Sequence, residues 1–294
     1  MRGLSNSTGQ RLMRDLFLAS IFVASCSVGA IAQQRPLLTE DVEVIKPGVI
    51  RIESGFEFLQ NQKFAVSGLR GDLTRIADTR LSFGLAPNVE FQIEWTVQNL
   101  LSIDQHGPSA IPLRLGASAA DTNDVGDAKL WMKIKLRNES RRAPSVGFRF
   151  GVELPNSNQA LGIGTNTTNF HATINAGKRL LDKRLNLFGN IGLGILQAPL
   201  NQFTQNDVLL YGLAGIYTLS DRINVVAEVN GFHSTRKHAP LGTEGFSEAR
   251  LGAQVRALGV RWNAAGVFGL SGNAPKTGLV LGITFDWDAF TPVK

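Results

Sequence analysis

From Val89 to Gln98 the chain alternates without a break. Val89, Phe91, Ile93, Trp95 and Val97 are apolar, and Glu90, Gln92, Glu94, Thr96 and Gln98 between them are polar. A period of two puts these sets on opposite faces of a β-strand, an arrangement a helix does not give. In 127–136, Ala128, Leu130, Met132, Ile134 and Leu136 oppose Asp127, Lys129, Trp131, Lys133 and Lys135. The same rhythm returns in 146–154 and 248–256. Along the whole chain it predicts twelve strands, near 48–60, 71–86, 89–99, 126–136, 145–155, 168–179, 185–196, 207–219, 223–232, 246–256, 259–270 and 277–287. Most reach the roughly 9–11 residues that a tilted membrane strand needs, whereas soluble strands average about five or six.

The connections add a second regularity. Short turns are expected at Pro87-Asn88, 137–144, 180–184, 220–222 and Ala257-Leu258. Between them fall longer loops at 61–70, 100–125, 156–167, 197–206, 233–245 and 271–276. Alternating short and long connections are the habit of outer-membrane barrels, with turns in the periplasm and loops outside the cell. Alternation alone does not separate a membrane barrel from a soluble one, because only the sense of the two faces is inverted. Strand length, loop segregation and an export signal together favour the membrane. Trp95, Trp262, Trp287, Phe285, Tyr211 and Tyr217 fall on the apolar register, where interface belts are built.

The N-terminus supplies that signal. Arg2, Arg11 and Arg14 precede an apolar run from Leu16 to Ala24, and Ala30-Ile31-Ala32 leads into Gln33-Gln34. Cations, a short apolar stretch and an Ala-x-Ala exit form a cleavable signal peptide over residues 1–32. Val23-Ala24-Ser25-Cys26 offers the alternative of lipidation at Cys26. Residues 33–47 then read as a short periplasmic lead, 48–287 as the barrel and 288–294 as a C-terminal tail. Part of the formal charge of +6 belongs to the signal arginines, so it carries no nucleic-acid inference. The single Cys excludes a disulfide framework. Glycine, at 31 of 294 residues, exceeds the average of about 7% and suits strands and turns.

Thr39-Glu40-Asp41-Val42-Glu43-Val44-Ile45-Lys46-Pro47-Gly48, followed by Ile52-Glu53-Ser54-Gly55-Phe56-Glu57-Phe58, resembles the opening of the phenol-degradation (MetA-pathway) outer-membrane proteins. Asp124-Val125-Gly126-Asp127-Ala128-Lys129-Leu130 with Lys133, and Val152-Glu153-Leu154-Pro155, resemble that family as well. The resemblance implies transport of hydrophobic or aromatic compounds across the outer membrane. Its motifs are those of a barrel and name no substrate. Gly282, Phe285 and Trp287 are spaced like the C-terminal signal read by the barrel assembly machinery.

Motifs for chemistry are sparse. His233, His238 and Glu244 share a loop and read as solvated residues rather than metal ligands. His171 lies on the polar register of its strand, but no Ser pairs with it by spacing, so no catalytic residue is assigned. Gly162-Ile163-Gly164-Thr165-Asn166 lacks the Lys of a phosphate loop. No cofactor or metal is expected, and the expected partners are outer-membrane lipid, the assembly machinery and an unidentified small solute.

The polar register is the informative surface. Its lumen-lining candidates are Arg51, Glu53 and Glu57; Asp78 and Arg80; Glu90 and Glu94; Lys129, Lys133 and Lys135; Arg149 and Glu153; Glu228; Glu248, Arg250 and Arg256; and Arg261 and Asp286. Such charges serve either as ion pairs bracing the barrel or as a channel wall. Loop 100–125, with Leu100, Leu101, Ile103, Ile111, Leu113 and Leu115, is expected to fold partly into the mouth and narrow it. The sequence thus predicts an all-β, antiparallel, twelve-stranded outer-membrane barrel for passive passage of small molecules. A closed-lumen scaffold or surface protein is the alternative, and a lipid-acting barrel hydrolase the third reading.

Overall fold

The computed structural model describes residues 35–291. The signal expected over 1–32, with its alternative at Cys26, and the end of the C-terminal tail lie outside the described residues. The strands are β1 (Val49–Phe64), β2 (Leu69–Ala86), β3 (Val89–His106), β4 (Asp121–Asp124), β5 (Lys129–Arg137), β6 (Ser145–Glu153), β7 (Asn169–Leu180), β8 (Leu185–Ala198), β9 (Asn201–Ser220), β10 (Ile223–Ser234), β11 (Phe246–Ala257), β12 (Val260–Gly269) and β13 (Thr277–Asp288). Twelve of them form an antiparallel ring in chain order, closed where β1 pairs with β13. The short β4 is an addition, paired only with the outer part of β3 at Asn99–Ser102.

The two faces have the sense of a membrane barrel. Ile174, Ile191, Leu213 and Leu251 point outward and are more than half exposed. Glu53, Gln92, Lys133, Glu248 and Gln254 point inward and are buried. An apolar outer wall around a charged interior suits lipid and would be unfavourable in water. Trp262, Trp287 and Tyr217 face outward near the short-turn end, the position of an interface belt.

Two of the expected long loops are much shorter than the sequence reading. Loop 61–70 shrinks to residues 65–68, and loop 197–206 to Pro199-Leu200. In both hairpins the ladder runs past the apolar band into polar sequence, where Gln62 and Lys63 pair with Gly71 and Arg70, and Asn201 and Gln205 pair with Ala198 and Gln197 around an irregularity, because a paired backbone is satisfied there without further apolar surface. The longest connections are 107–120 and 154–168, both at the same end of the barrel. At the other end, Leu258 and Gly259 both take positive φ, the two-residue turn whose twist matches its hairpin.

A bulge at Ala77 sets the upper lumen. Gly55 pairs with Asp78 and Phe56 with Ile76, which leaves Ala77 as an extra residue at φ +49°. The extra residue flips the alternation. Asp78 and Arg80 on one side of it, and Arg75 and Leu73 on the other, therefore all turn inward.

Candidate functional site

The structure places the predicted charged residues on the inner wall. Arg51, Glu53, Glu57, Arg80, Glu90, Lys133, Arg149, Glu228, Glu248 and Arg250 are buried there. Glu94, Lys129 and Glu153 are half-buried beside the upper cavity, and Arg256 stands exposed at the short-turn mouth. They assemble by cross-strand pairing: Glu53 lies opposite Arg80, Arg80 opposite Glu94, and Glu94 opposite Lys129. Lys129 in turn lies opposite Glu153, at 3.4 Å. Around the far wall Arg250 contacts Glu248 at 2.6 Å and Glu57 at 2.7 Å, and Arg51 grips Asp286 with two bonds of 2.6 Å.

The largest departure from the sequence reading concerns residues 35–46. Expected as a periplasmic lead, they run inside the lumen, around the inner wall. Arg250 donates to the Pro36 carbonyl at 3.1 Å. The Leu38 and Thr39 amides each donate to the Glu228 carboxylate at 2.8 Å. Leu37 fills an apolar patch of Phe188, Ala214, Ile216 and Val226. Asn186 donates to Asp41 at 2.9 Å, Lys135 to Glu43 at 2.7 Å, and the Ile45 amide to Glu90 at 2.8 Å. The physical reason is the charge of the wall. Its carboxylates accept the segment's amides, and three inward cations, Arg80, Lys133 and Arg149, converge on one carboxylate of the segment.

That carboxylate is Glu40. It is 2.8 Å from Lys133 and 3.6 Å from both Arg80 and Arg149, and it is fully enclosed. Inward glycines make room for the segment. A Cβ at Gly212 would lie 2.6 Å from the Thr39 hydroxyl oxygen. One at Gly84 would strike the Lys46 carbonyl. These close approaches are the signal that sequence reasoning missed, since a glycine on an inward register can mark a place where another stretch of backbone lies against the wall.

The segment divides the lumen. Above it, towards the long loops, a cavity of about 360 Å3 is lined by residues including Leu38, Arg75, Glu94, Trp95 and Lys129. Below it, towards the short turns, a second cavity of about 360 Å3 is lined by residues including Glu43, Arg179, Asn224, Arg256 and Arg261. Between them the belt of Glu40, Arg51, Glu53, Arg80, Glu90 and Lys133 encloses only about 10 Å3. That is room for no more than about one water.

The outer mouth is capped by apolar side chains. Leu59, Leu69, Leu73, Leu101, Val267 and Val280 turn inward and are buried. Ile103, Leu113 and Leu115 of the expected mouth loop pack against them, as does Ile163. Leu100 faces the other way and is 40% exposed. His171 sits beside Trp131, with ring centroids 5.4 Å apart, and 3.7 Å from Glu153. Arg149 lies over the Trp131 ring at 3.7 Å. At the short-turn end Glu139 is held by Arg179 at 2.8 Å and Lys178 at 3.4 Å. Burial pushes its carboxyl up, but these hydrogen bonds prevail and hold it below the ordinary value of 4.5.

No family model matches this chain, and no curated protein matches it. Solved structures do. The COG4313 outer membrane channel from Pseudomonas putida F1 aligns with a TM-score of 0.59 at 13% identity, covering 84% of this chain and 98% of that one. The translocator domain of autotransporter NalP from Neisseria meningitidis aligns at a TM-score of 0.47 and 13% identity, over 94% and 95%. The outer membrane channel DcaP of Acinetobacter baumannii aligns at 0.44 and 11%, over 81% and 96%. The first of these supports the fold: a closed outer-membrane β-barrel.

Proposed function

We propose that this barrel is a passive channel of the outer membrane for small solutes, and that residues 35–46 close it in the conformation described. The observation that carries this reading is the pair of equal cavities on either side of a belt too small for a solute. A barrel filled only for strength has no need of two vestibules. Its inner charges would pair directly, as they do in the wall itself. The resemblance to phenol-degradation outer-membrane proteins points to hydrophobic or aromatic cargo, and the COG4313 neighbour is itself described as a channel.

The closed belt also favours a second reading, a scaffold whose lumen never opens. Single-channel recording of the refolded protein separates them. Rare discrete openings are expected from the intact chain, and sustained conductance after deletion of residues 35–46. A silent bilayer with both proteins, each folded by its gel shift, would leave the scaffold.

A further inference from the structure

We propose that the short-turn mouth of the lumen holds a binding site for a small oxyanion, a carboxylate or phosphate group carried by a solute, centred on Arg256 and Arg261. The proposal deepens the channel reading and rests on it only for the solute's route, not for the site.

The first observation is an imbalance between the vestibules. In the upper cavity the cations are matched: Arg35 contacts Asp78 at 2.7 Å, Arg75 contacts Glu57 at 2.6 Å, and Arg80 contacts Glu94 at 2.6 Å. In the lower one Arg179 is paired with Glu139, but Lys183, Arg222, Arg256 and Arg261 make no ion pair among the described residues. Asp286, on the neighbouring strand β13, already accepts two hydrogen bonds from the Nε and one Nη of Arg51.

The second observation is register. Arg256 and Arg261 lie directly opposite each other across β11 and β12, both on the inward phase of their strands. The Arg256 amide donates to the Arg222 carbonyl at 2.8 Å, which brings a third arginine to the same corner. Like charges directly opposite each other destabilise a sheet. The barrel contains one instructive precedent. Lys133 and Arg149 also lie opposite each other on inward positions, and there the Glu40 carboxylate lies against both. The arginine pair has the same geometry and lacks the carboxylate.

The third observation is a buried donor. The Arg261 Nε is enclosed and has no hydrogen-bond acceptor. A buried N–H without a partner is costly, and a guanidinium fork fits the two oxygens of a carboxylate or phosphate. The adjoining cavity of about 360 Å3 is large enough for a benzoate-sized molecule.

The test is calorimetric titration of the folded, detergent-solubilised protein with benzoate, with inorganic phosphate and with benzyl alcohol as the neutral counterpart. Benzoate or phosphate should bind and benzyl alcohol should not. The relative affinities tell a carboxylate site from a phosphate site. The double variant Arg256→Gln/Arg261→Gln should weaken binding at least tenfold, Arg256→Lys/Arg261→Lys should restore part of it, and Lys237→Gln on an exposed loop should leave it unchanged. Equal binding by the wild type and the glutamine variant, or no oxyanion binding at all, overturns the site. Bilayer recording reads the channel separately: oxyanion binding without conductance sinks the channel and keeps the site, and conductance without oxyanion binding does the reverse.

Discussion

Replacing Glu40 by Gln keeps the shape of the luminal segment and removes its charge. A buried ion pair broken on one side usually costs about 3–5 kcal/mol, because the remaining charge is left alone. Here none is left alone. Lys133 keeps Glu90 at 3.3 Å, Arg80 keeps Glu94 at 2.6 Å, and Arg149 keeps Glu94 at 2.8 Å. Glu53, Glu90 and Glu94 balance Arg80, Lys133 and Arg149 one for one once Glu40 is neutral. The loss is therefore the difference between a charged and a neutral hydrogen bond to Lys133, plus two longer Coulomb contacts, about 2 kcal/mol in all. It falls on the docking of the segment and not on the barrel. About 2 kcal/mol corresponds to an undocked population roughly 30-fold larger. Hydrogen exchange of the refolded protein reads this directly. The Leu38, Thr39 and Ile45 amides, which donate to wall carboxylates, should exchange about 30-fold faster. The amides of β3 and β5 should keep their protection. If the strand amides speed up together with the segment, Glu40 braces the wall and the division of energies is wrong; a change below threefold at all three amides is equally fatal.

Gly212→Val should displace the segment at Thr39 without unfolding the ring, raising open probability in bilayers while the heat-modifiable gel shift is retained. Deleting residues 107–120 should leave conductance near the wild-type level if the belt at Glu40, with its space of only about 10 Å3, sets the constriction; a large increase would move the constriction to the apolar cap and its loop. Ile191→Arg, on the outward face midway along β8, should cost about 2–4 kcal/mol in lipid, measured by urea unfolding in vesicles. For Glu139 the folded-state pKa lies below the ordinary one, so its contribution is present above about pH 4.5 and fades as pH falls through the folded value. Because Arg179 is 42% exposed, that contribution should stay below about 1 kcal/mol; Glu139→Gln should speed exchange of turn 138–144 at pH 7 and have no effect near pH 2.

The ring was legible because its rule is local. A residue such as Ile93 or Glu94 reveals its face from its neighbours alone, and Pro87-Asn88 ends a strand wherever it occurs. The luminal segment was not legible for the opposite reason. Thr39-Glu40-Asp41 is a polar stretch that would suit water equally well, and its burial depends on Lys133 and Arg149, about a hundred positions away. The clue lay in Gly84 and Gly212, which composition merged with every other glycine of a turn-rich chain. The same limit hid β4, whose pairing with Asn99–Ser102 is decided by the ladder beside it and not by its own four residues. The apolar leucines of loop 107–120 were readable as a packing surface, but their partners were not, because Leu73 and Val280 turn inward only through registers set elsewhere.

The luminal segment passes into β1 through Pro47 and Gly48 alone, so a displaced segment never leaves its own barrel. Twelve residues, 35–46, extend to about 40 Å at most, so Arg35 stays within reach of the mouth it came from. Reinsertion is then a first-order event at an effective concentration of order millimolar. The lifetime of each opening is a property of the single molecule, untouched by dilution. A free peptide of the same sequence, offered to a barrel lacking the segment, would have to be supplied at about that concentration to close the lumen as well as the tethered one does.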